Sequence, residues 1–217
     1  MKRILLADDH SIVHEGMRTV LNGGHDYKIV DAAYSGDETI EKITSLEFDL
    51  VILDISMPGK NIYQVVKDIR EIKPELPIIV YSIYPEEYFA VKLMEMGVNG
   101  YLNKSAKLND ITNAIEKVLN GGLYISSGLA EYYANFIKSG SDKPKHNNLS
   151  VREYEIFLMI ATGHTVEDIT KKLYLSKSTV ANHRHHILRK LDVHNNVQLT
   201  LYAINHDLID TKIIFND

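Results

Sequence analysis

One stretch decides the fold, Ile4-Leu5-Leu6-Ala7-Asp8-Asp9-His10, because a short apolar run ends abruptly in two carboxylates. A second apolar run, Leu50-Val51-Ile52-Leu53, ends in Asp54 in the same way. Residues 78–81 lead into Ser82, and residues 100–103 lead into Lys104. Short apolar runs separated by helical patterns indicate repeated βα units and a parallel sheet. Since the carboxyl ends of parallel strands share one edge of a sheet, these polar side chains are expected to converge there.

The order of the predicted elements defines a fold class. The predicted strands cover residues 3–7, 28–33, 49–53, 77–82 and 98–102, with helices between them. A fifth helix is predicted over residues 107–120 and is ended by two glycines. This pattern predicts an α/β domain with a five-stranded, doubly wound parallel sheet of the flavodoxin-like type.

The composition excludes several classes of protein. The chain has 217 residues, of which 45% are hydrophobic and 24% charged, as is usual for a globular protein. No apolar run approaches the roughly 20 residues that cross a bilayer, and Met1-Lys2-Arg3 is too short a start for a signal peptide. There are no cysteines, so disulfides and thiolate chemistry are excluded. We therefore expect a cytoplasmic protein without a membrane partner.

A basic stretch stands out against the net charge of −5. Residues 171–191 carry six basic side chains, three histidines and no acidic side chain. A basic stripe on an acidic protein indicates a polyanion partner, although a solvated helix face explains the same pattern equally well.

The last third of the chain is predicted to be helical, after a polar linker at 139–148. Ser150 and Glu153 form a capping-box pattern for a helix that runs to about Thr162, and Thr165 caps the next helix. A long helix over 177–191 and a final helix over 196–206 follow. Two helices joined by a tight turn, with the charge on the second, indicate a helix-turn-helix and a DNA partner.

The strand-end residues resemble the receiver domain of bacterial two-component response regulators. The resemblance covers about the first 120 residues, including Asp49-Leu50-Val51-Ile52-Leu53-Asp54-Ile55-Ser56-Met57-Pro58-Gly59. It implies that Asp54 accepts a phosphoryl group from a histidine kinase. It also implies that Asp8, Asp9, Asp54 and the Ser56 carbonyl hold Mg²⁺.

The resemblance further implies how the phosphoryl group is bound and sensed. Lys104 pairs with the phosphoryl oxygens, and Ser82 moves towards them, which lets its switch partner Tyr101 rotate inward. The family commonly has glycine at the position of Ile62, so a loop that requires a positive φ there is expected to be reshaped.

The helical segment is similar to the LuxR-type domain of the NarL/FixJ class of response regulators. The matching stretches include Leu149-Ser150-Val151-Arg152-Glu153-Tyr154-Glu155-Ile156 and Leu175-Ser176-Lys177-Ser178-Thr179-Val180-Ala181-Asn182-His183. Residues predicted to face DNA are Lys177, Ser178, Thr179, Ala181, Asn182, Arg184 and His185. Among these, Asn182 suits adenine and Ala181 suits a thymine methyl group. His183, on the same helix, is expected to be packed.

The final helix carries an apolar stripe of Val197, Leu201, Ile204 and Leu208, which is expected to be mostly core. The family resemblance implies that the exposed side of this helix is a dimer face. We therefore expect a homodimer when the protein is phosphorylated or bound to double-stranded DNA.

Together, these observations predict a DNA-binding transcriptional response regulator. The protein is not expected to be an enzyme, although it can catalyse its own phosphorylation and dephosphorylation. The expected division is a receiver at 1–121, a linker helix and linker at 122–148, and a DNA-binding domain at 149–217. One alternative is a regulator that binds DNA independently of phosphorylation. Another is a phosphatase, but Asp54-Ile55-Ser56 lacks the second carboxylate that would serve as general acid.

Overall fold

The computed structural model describes residues 1–21, 24–139 and 144–209. The chain forms two compact units, Met1–Ser141 and Asp142–Asp217. The segment expected to link the domains, 122–148, contains both the last helix of the first unit and the first residues of the second unit. Within the described ranges, no helix is both long and apolar enough to cross a membrane.

The first unit is built on a five-stranded parallel sheet with the order β2-β1-β3-β4-β5. The strands β1 to β5 are Lys2–Ala7, Tyr27–Ala33, Leu50–Leu53, Ile78–Ser82 and Gly100–Asn103. All residues of β3 and β4 are buried, as continuous apolar strands inside a parallel sheet should be. The predicted fold class is confirmed, and each strand begins or ends within two residues of its predicted limit.

Helices alternate with these strands, and a sixth helix follows the sheet. Helices α1 to α6 are Ser11–Leu21, Gly36–Ser45, Ile62–Ile72, Glu86–Glu95, Leu108–Leu119 and Ser127–Ser139. The apolar faces of α1 and α5 bury Met17, Leu21, Ile111 and Ile115 in the same core as β1 and β3. This core supports the strand ends that carry the polar residues.

The left-handed position in the loop after β3 is occupied by Gly59 and not by Ile62. Gly59 has a φ of +83°, a conformation that glycine adopts without steric cost. Ile62 is the first residue of α3 and is buried, and its φ is not positive. Asn61 caps the helix, its side chain accepting a hydrogen bond from the Gln64 amide. Ile62 is therefore placed without the backbone strain that a left-handed position would impose.

The second unit begins with a 3-10 helix, Lys145–Asn148, and continues with four α-helices. Helices α7 to α10 are Val151–Ala161, Val166–Leu173, Lys177–Leu191 and Asn196–Asn205. The capping box of Ser150 and Glu153 is present, and Thr165 caps α8. Ser176 caps α9 through a hydrogen bond from the Thr179 amide to its hydroxyl. The predicted helix-turn-helix is thus formed by α8 and α9.

The prediction for α10, that the stripe of Val197, Leu201, Ile204 and Leu208 is mostly core, is wrong. Val197 is 70% exposed and Leu201 is 53% exposed, whereas the buried residues are Leu199 and Ala203. The helix has apolar residues around much of its circumference, so spacing alone does not reveal which side packs inward. The outward side is consequently an apolar surface centred on Val197 and Leu201.

Candidate functional site

The polar residues at the strand ends meet at the carboxyl edge of the sheet, as the sequence predicted. Backbone hydrogen bonds fix the adjacent loops: the Asp54 amide donates to the Ala7 carbonyl at 2.8 Å. The Lys104 amide donates to the Ser82 carbonyl at 2.7 Å. Residues 47 and 22 positions apart along the chain are therefore held next to one another by the sheet.

Lys104 lies between two buried carboxylates. Its Nζ is 2.7 Å from Oδ2 of Asp8 and 3.0 Å from Oδ2 of Asp54. Asp8 and Asp54 are 0% and 3% exposed. Burial raises the pKa of Asp54, as does the charge of Asp8, against the opposing charge of Lys104. Burial acts to lower the pKa of Lys104, but the two carboxylates outweigh it and the net shift is upward.

Each oxygen of the Asp54 carboxylate has a different environment. The Ile55 amide donates to Oδ1 at 2.7 Å, and Lys104 is paired with Oδ2. A backbone donor and an ammonium group thus orient this carboxylate, which lets it present an oxygen to a reagent in a fixed direction.

Asp9 and His10 complete the acidic cluster at its solvent side. Nδ1 of His10 is 2.8 Å from Oδ1 of Asp9 and 3.1 Å from Oδ1 of Asp8. The His10 amide also donates to Oδ1 of Asp8 at 2.9 Å. Donor atoms of Asp8, Asp9, His10 and Asp54 all lie within 4.8 Å of one another. Three carboxylates this close suit a hard divalent cation.

The sequence prediction gave His10 no role, although His10 stood in the quoted stretch. The available signal was its position directly after two carboxylates at a strand end, where an imidazole nitrogen reaches the same space.

The proposed switch residues are both buried. Ser82 is 0% exposed, and its hydroxyl accepts a hydrogen bond from the Tyr84 amide at 3.2 Å. Tyr101 is 1% exposed, and burial raises the pKa of its hydroxyl. The Tyr101 side chain is therefore already inside the protein in this structure, in the position that was expected only after phosphorylation. A further hydrogen bond of 3.1 Å joins the Ser56 hydroxyl to the Tyr84 hydroxyl.

The second unit presents helix α9 with one packed face and one open face. Val180, Ile187 and Leu191 are buried, while the exposed side chains are Lys177, Ser178, Ala181, Asn182, His185, His186 and Arg189. Thr179 and Arg184 are half-buried. His183 is also half-buried, and burial lowers its pKa. The open face of α9 thus carries the residues that the sequence predicted to contact DNA.

Two predicted DNA-facing cations are held by neighbouring helices. Nζ of Lys177 lies 2.5 Å from Oε1 of Glu167 on α8. Nε of Arg184 donates to Oδ1 of Asn196, the first residue of α10, at 2.7 Å. These contacts orient Lys177 from α8 and Arg184 from α10.

A doubly wound sheet with an acidic edge and a half-buried lysine, followed by a helix-turn-helix, defines a two-domain regulator of transcription. Two family models match the chain: a response regulator receiver domain over residues 4–116 and the bacterial regulatory proteins of the luxR family over residues 147–203.

Relatives match the chain over nearly its whole length. Response regulator GacA of Pseudomonas aeruginosa is 33% identical over 212 residues, which cover 97% of this chain and 99% of GacA. Response regulator UvrY of Escherichia coli K12 is 33% identical over 215 residues, which cover 99% of each protein.

A solved structure shares the fold. RcsB from Salmonella enterica serovar Typhimurium, bound to promoter P1flhDC with the phosphomimetic BeF3-, matches with a TM-score of 0.63. It is 25% identical, and the match covers 93% of this chain and 97% of that one. The chain belongs to the NarL/FixJ response regulators and is a two-component regulator of transcription.

Proposed function

We propose that Asp54 accepts a phosphoryl group from the phosphohistidine of a sensor kinase and that this modification controls binding to double-stranded DNA. The observation that carries the proposal is the pairing of the buried Asp54 carboxylate with Lys104 at 3.0 Å. An Asp54 oxygen attacks phosphorus, the P–N bond to the kinase imidazole breaks, and an acyl phosphate forms. Lys104 then binds the new phosphoryl oxygens, since the phosphorylated side chain replaces its carboxylate partner with a dianion.

The carboxylates of Asp8, Asp9 and Asp54, with the Ser56 carbonyl, form an oxygen-rich site suited to Mg²⁺. When bound, Mg²⁺ neutralises charge on the phosphoryl group. Asp8 is fully buried between a lysine and a histidine, so it presents its oxygens in fixed positions. The same residues support self-catalysed phosphorylation by a small phosphodonor and later hydrolysis by water.

Ser82 and Tyr101 sense the modification in this proposal. The Ser82 hydroxyl accepts a hydrogen bond from the Tyr84 amide. A dianion at Asp54 is a strong acceptor for the proton of this hydroxyl, so the hydroxyl moves to it and donates to a phosphoryl oxygen. The movement of Ser82 leaves space beside the inward Tyr101 and so favours that position of the ring. Because Tyr101 already lies inside, phosphorylation acts by stabilising an arrangement that the chain adopts by itself.

DNA is read by the open face of α9. Lys177, Ser178, Thr179 and Arg184 contact phosphates, while Ala181, Asn182 and His185 face base edges in the major groove. Two copies of the chain bind two half-sites, and the apolar outer side of α10 is the family's dimer face. We infer a cytoplasmic location because the DNA partner lies there.

The test is phosphorylation of the full chain with a small phosphodonor and Mg²⁺, followed by intact-mass measurement and DNA-binding titration. We expect one added phosphoryl group, loss of this group in Asp54→Asn, and retention in the control Asp26→Asn, which changes an exposed carboxylate. Phosphorylation should also raise DNA affinity. Labelling that persists in Asp54→Asn would place the acceptor elsewhere, and DNA affinity unaffected by phosphorylation would favour the phosphorylation-independent regulator.

A further inference from the structure

We propose that His10 is a metal ligand of the acidic site and gives it a preference for first-row divalent ions such as Mn²⁺ over Mg²⁺. The inference rests on the proposed function, because it takes the Asp8, Asp9 and Asp54 cluster as the metal site.

The position of the His10 ring carries the inference. Neighbouring ligands of an octahedral ion with bonds of about 2.1 Å lie about 3 Å apart. The observed separations from Nδ1 of His10 are 2.8 Å to Oδ1 of Asp9 and 3.1 Å to Oδ1 of Asp8. Both separations from Nδ1 are thus those expected between neighbouring ligands of one ion, and the ligand atoms of the whole cluster lie within 4.8 Å of one another. The His10 side chain is 61% exposed, so its ring has room to turn when an ion binds between these atoms.

The charges in the site are divided between its two sides. Lys104 is paired with the Oδ2 atoms of Asp8 and Asp54, so it already occupies one side. The Oδ1 atoms of Asp8 and Asp9 face the other side, where His10 is the neighbouring side chain. A cation that binds both aspartates on this side meets Nδ1 of His10 directly.

The chemistry of imidazole explains the selectivity. Mg²⁺ prefers oxygen ligands and keeps several of its waters, whereas first-row transition ions accept imidazole nitrogen as well as carboxylate oxygen. Adding one histidine to a site with three carboxylates therefore raises the affinity for Mn²⁺ more than the affinity for Mg²⁺. The His10 amide, bonded to Oδ1 of Asp8 at 2.9 Å, keeps the residue beside the carboxylates whichever ion binds.

The experiment titrates the full chain with Mn²⁺ and records electron spin-echo envelope modulation of the bound ion. We expect a directly coordinated nitrogen in the wild type, which is lost in His10→Ala and retained in the control His185→Ala. The His10→Ala variant should bind Mn²⁺ about 10-fold more weakly, with a smaller loss for Mg²⁺. Bound Mn²⁺ without coordinated nitrogen, or nitrogen coupling that survives in His10→Ala, would overturn the inference and leave His10 as a hydrogen-bonding neighbour of Asp9.

Asp9→Ala separates this inference from the proposed function. If Mn²⁺ binding falls in Asp9→Ala but the wild type has no coordinated nitrogen, the acidic site holds the metal and only the role of His10 is wrong. If Asp9→Ala binds Mn²⁺ as the wild type does, the metal lies elsewhere, and both the His10 inference and the proposed metal site are wrong.

Discussion

The Tyr101 hydroxyl donates a hydrogen bond to the Tyr84 carbonyl at 3.0 Å. The Tyr84 amide lies 3.2 Å from the Ser82 hydroxyl, so one residue of the loop after β4 contacts both proposed switch residues. If the Ser82 hydroxyl moves to a phosphoryl group, the hydrogen bond from the Tyr84 amide to it is broken, while the Tyr84 carbonyl keeps its hydrogen bonds from Tyr101 and Asn103. Phosphorylation of Asp54 is therefore expected to change the conformation of this loop first, through the Tyr84 backbone.

Removing the Tyr101 hydroxyl tests how firmly the inward position is held. Tyr101→Phe deletes the hydrogen bonds of the buried hydroxyl with the Tyr84 carbonyl and the Ser82 side chain. The Tyr84 carbonyl keeps the Asn103 side-chain amide at 3.2 Å as a second donor. We expect the free energy of unfolding in urea to fall by about 1 kcal/mol. The control Tyr174→Phe, at a side chain that is 95% exposed, should change it little. Equal effects of the two substitutions would mean that the Tyr101 hydrogen bond does not stabilise the inward position.

Lys104 should be important for stability as well as for phosphoryl binding. Lys104→Met keeps the aliphatic volume but leaves the buried carboxylates of Asp8 and Asp54 without their cation. Removing one partner of a buried ion pair costs roughly 3–5 kcal/mol, so the variant should unfold at a lower urea concentration. Mg²⁺ should restore more stability to this variant than to the wild type, because it neutralises the same carboxylates.

The control for Lys104 is Lys67→Met, which removes an exposed partner of Glu71 at 3.7 Å. An exposed pair contributes about 0–1 kcal/mol, so this variant should resemble the wild type with and without Mg²⁺. A Lys104→Met protein as stable as Lys67→Met would contradict the structural role of the buried pair.

Strand-end chemistry was predictable from the sequence because it depends on topology alone. Each run of apolar residues identified a strand, and a parallel sheet requires the residues after those strands to share one edge. The positions of Asp8, Asp54, Ser82 and Lys104 follow from this rule, without knowledge of any side-chain conformation. The caps at Ser150 and Thr165 were equally predictable, because capping is decided within three residues.

The remaining features depend on side-chain packing and were not predictable in this way. The inward Tyr101 is a choice between two rotamers that the sequence does not encode locally. The buried side of α10 depends on its neighbours, and so Leu199 and not Val197 faces the core. The sequence prediction expected a reshaped loop if Ile62 needed a positive φ. In the structure Gly59 adopts the positive φ and Ile62 does not.

His146 should make the second unit less stable in acid. The residue is 3% exposed, and Nδ1 lies 3.2 Å from the Tyr202 hydroxyl. Burial and the nearby His206 lower the pKa of His146 to about 4. The pKa of a histidine in the unfolded chain is about 6.5, and above this pH the folded and unfolded states are equally deprotonated, so stability is at its full value. As the pH falls from 6.5 towards 4, the unfolded chain binds a proton that the folded chain does not, and the free energy of unfolding decreases.

The expected loss for His146 between neutral pH and pH 4 is about 3 kcal/mol, since the unfolded chain takes up a proton that the folded chain resists. Urea unfolding at pH 7, 5.5 and 4 measures it, with His146→Gln as the test and the exposed His194→Gln as the control. The control should retain the acid sensitivity of the wild type, and His146→Gln should have less of it. If both variants lose stability as the wild type does, another group is responsible.

DNA binding should strengthen as the pH falls below neutrality, through His185. This side chain is exposed on the open face of α9, whereas His183 is half-buried and burial lowers its pKa. Phosphates favour a protonated imidazole, and each added positive charge releases a further counterion, so the salt dependence should also become steeper at low pH. The measurement is DNA affinity at pH 6 and pH 8 over a range of salt concentrations, for the wild type and for His185→Gln. We expect His185→Gln to lose most of the pH response while its affinity at pH 8 changes little. Loss of stability through His146 in acid affects both proteins alike, so the wild type and His185→Gln are compared with each other at each pH. An equal pH response in the two proteins would show that His185 does not contact DNA.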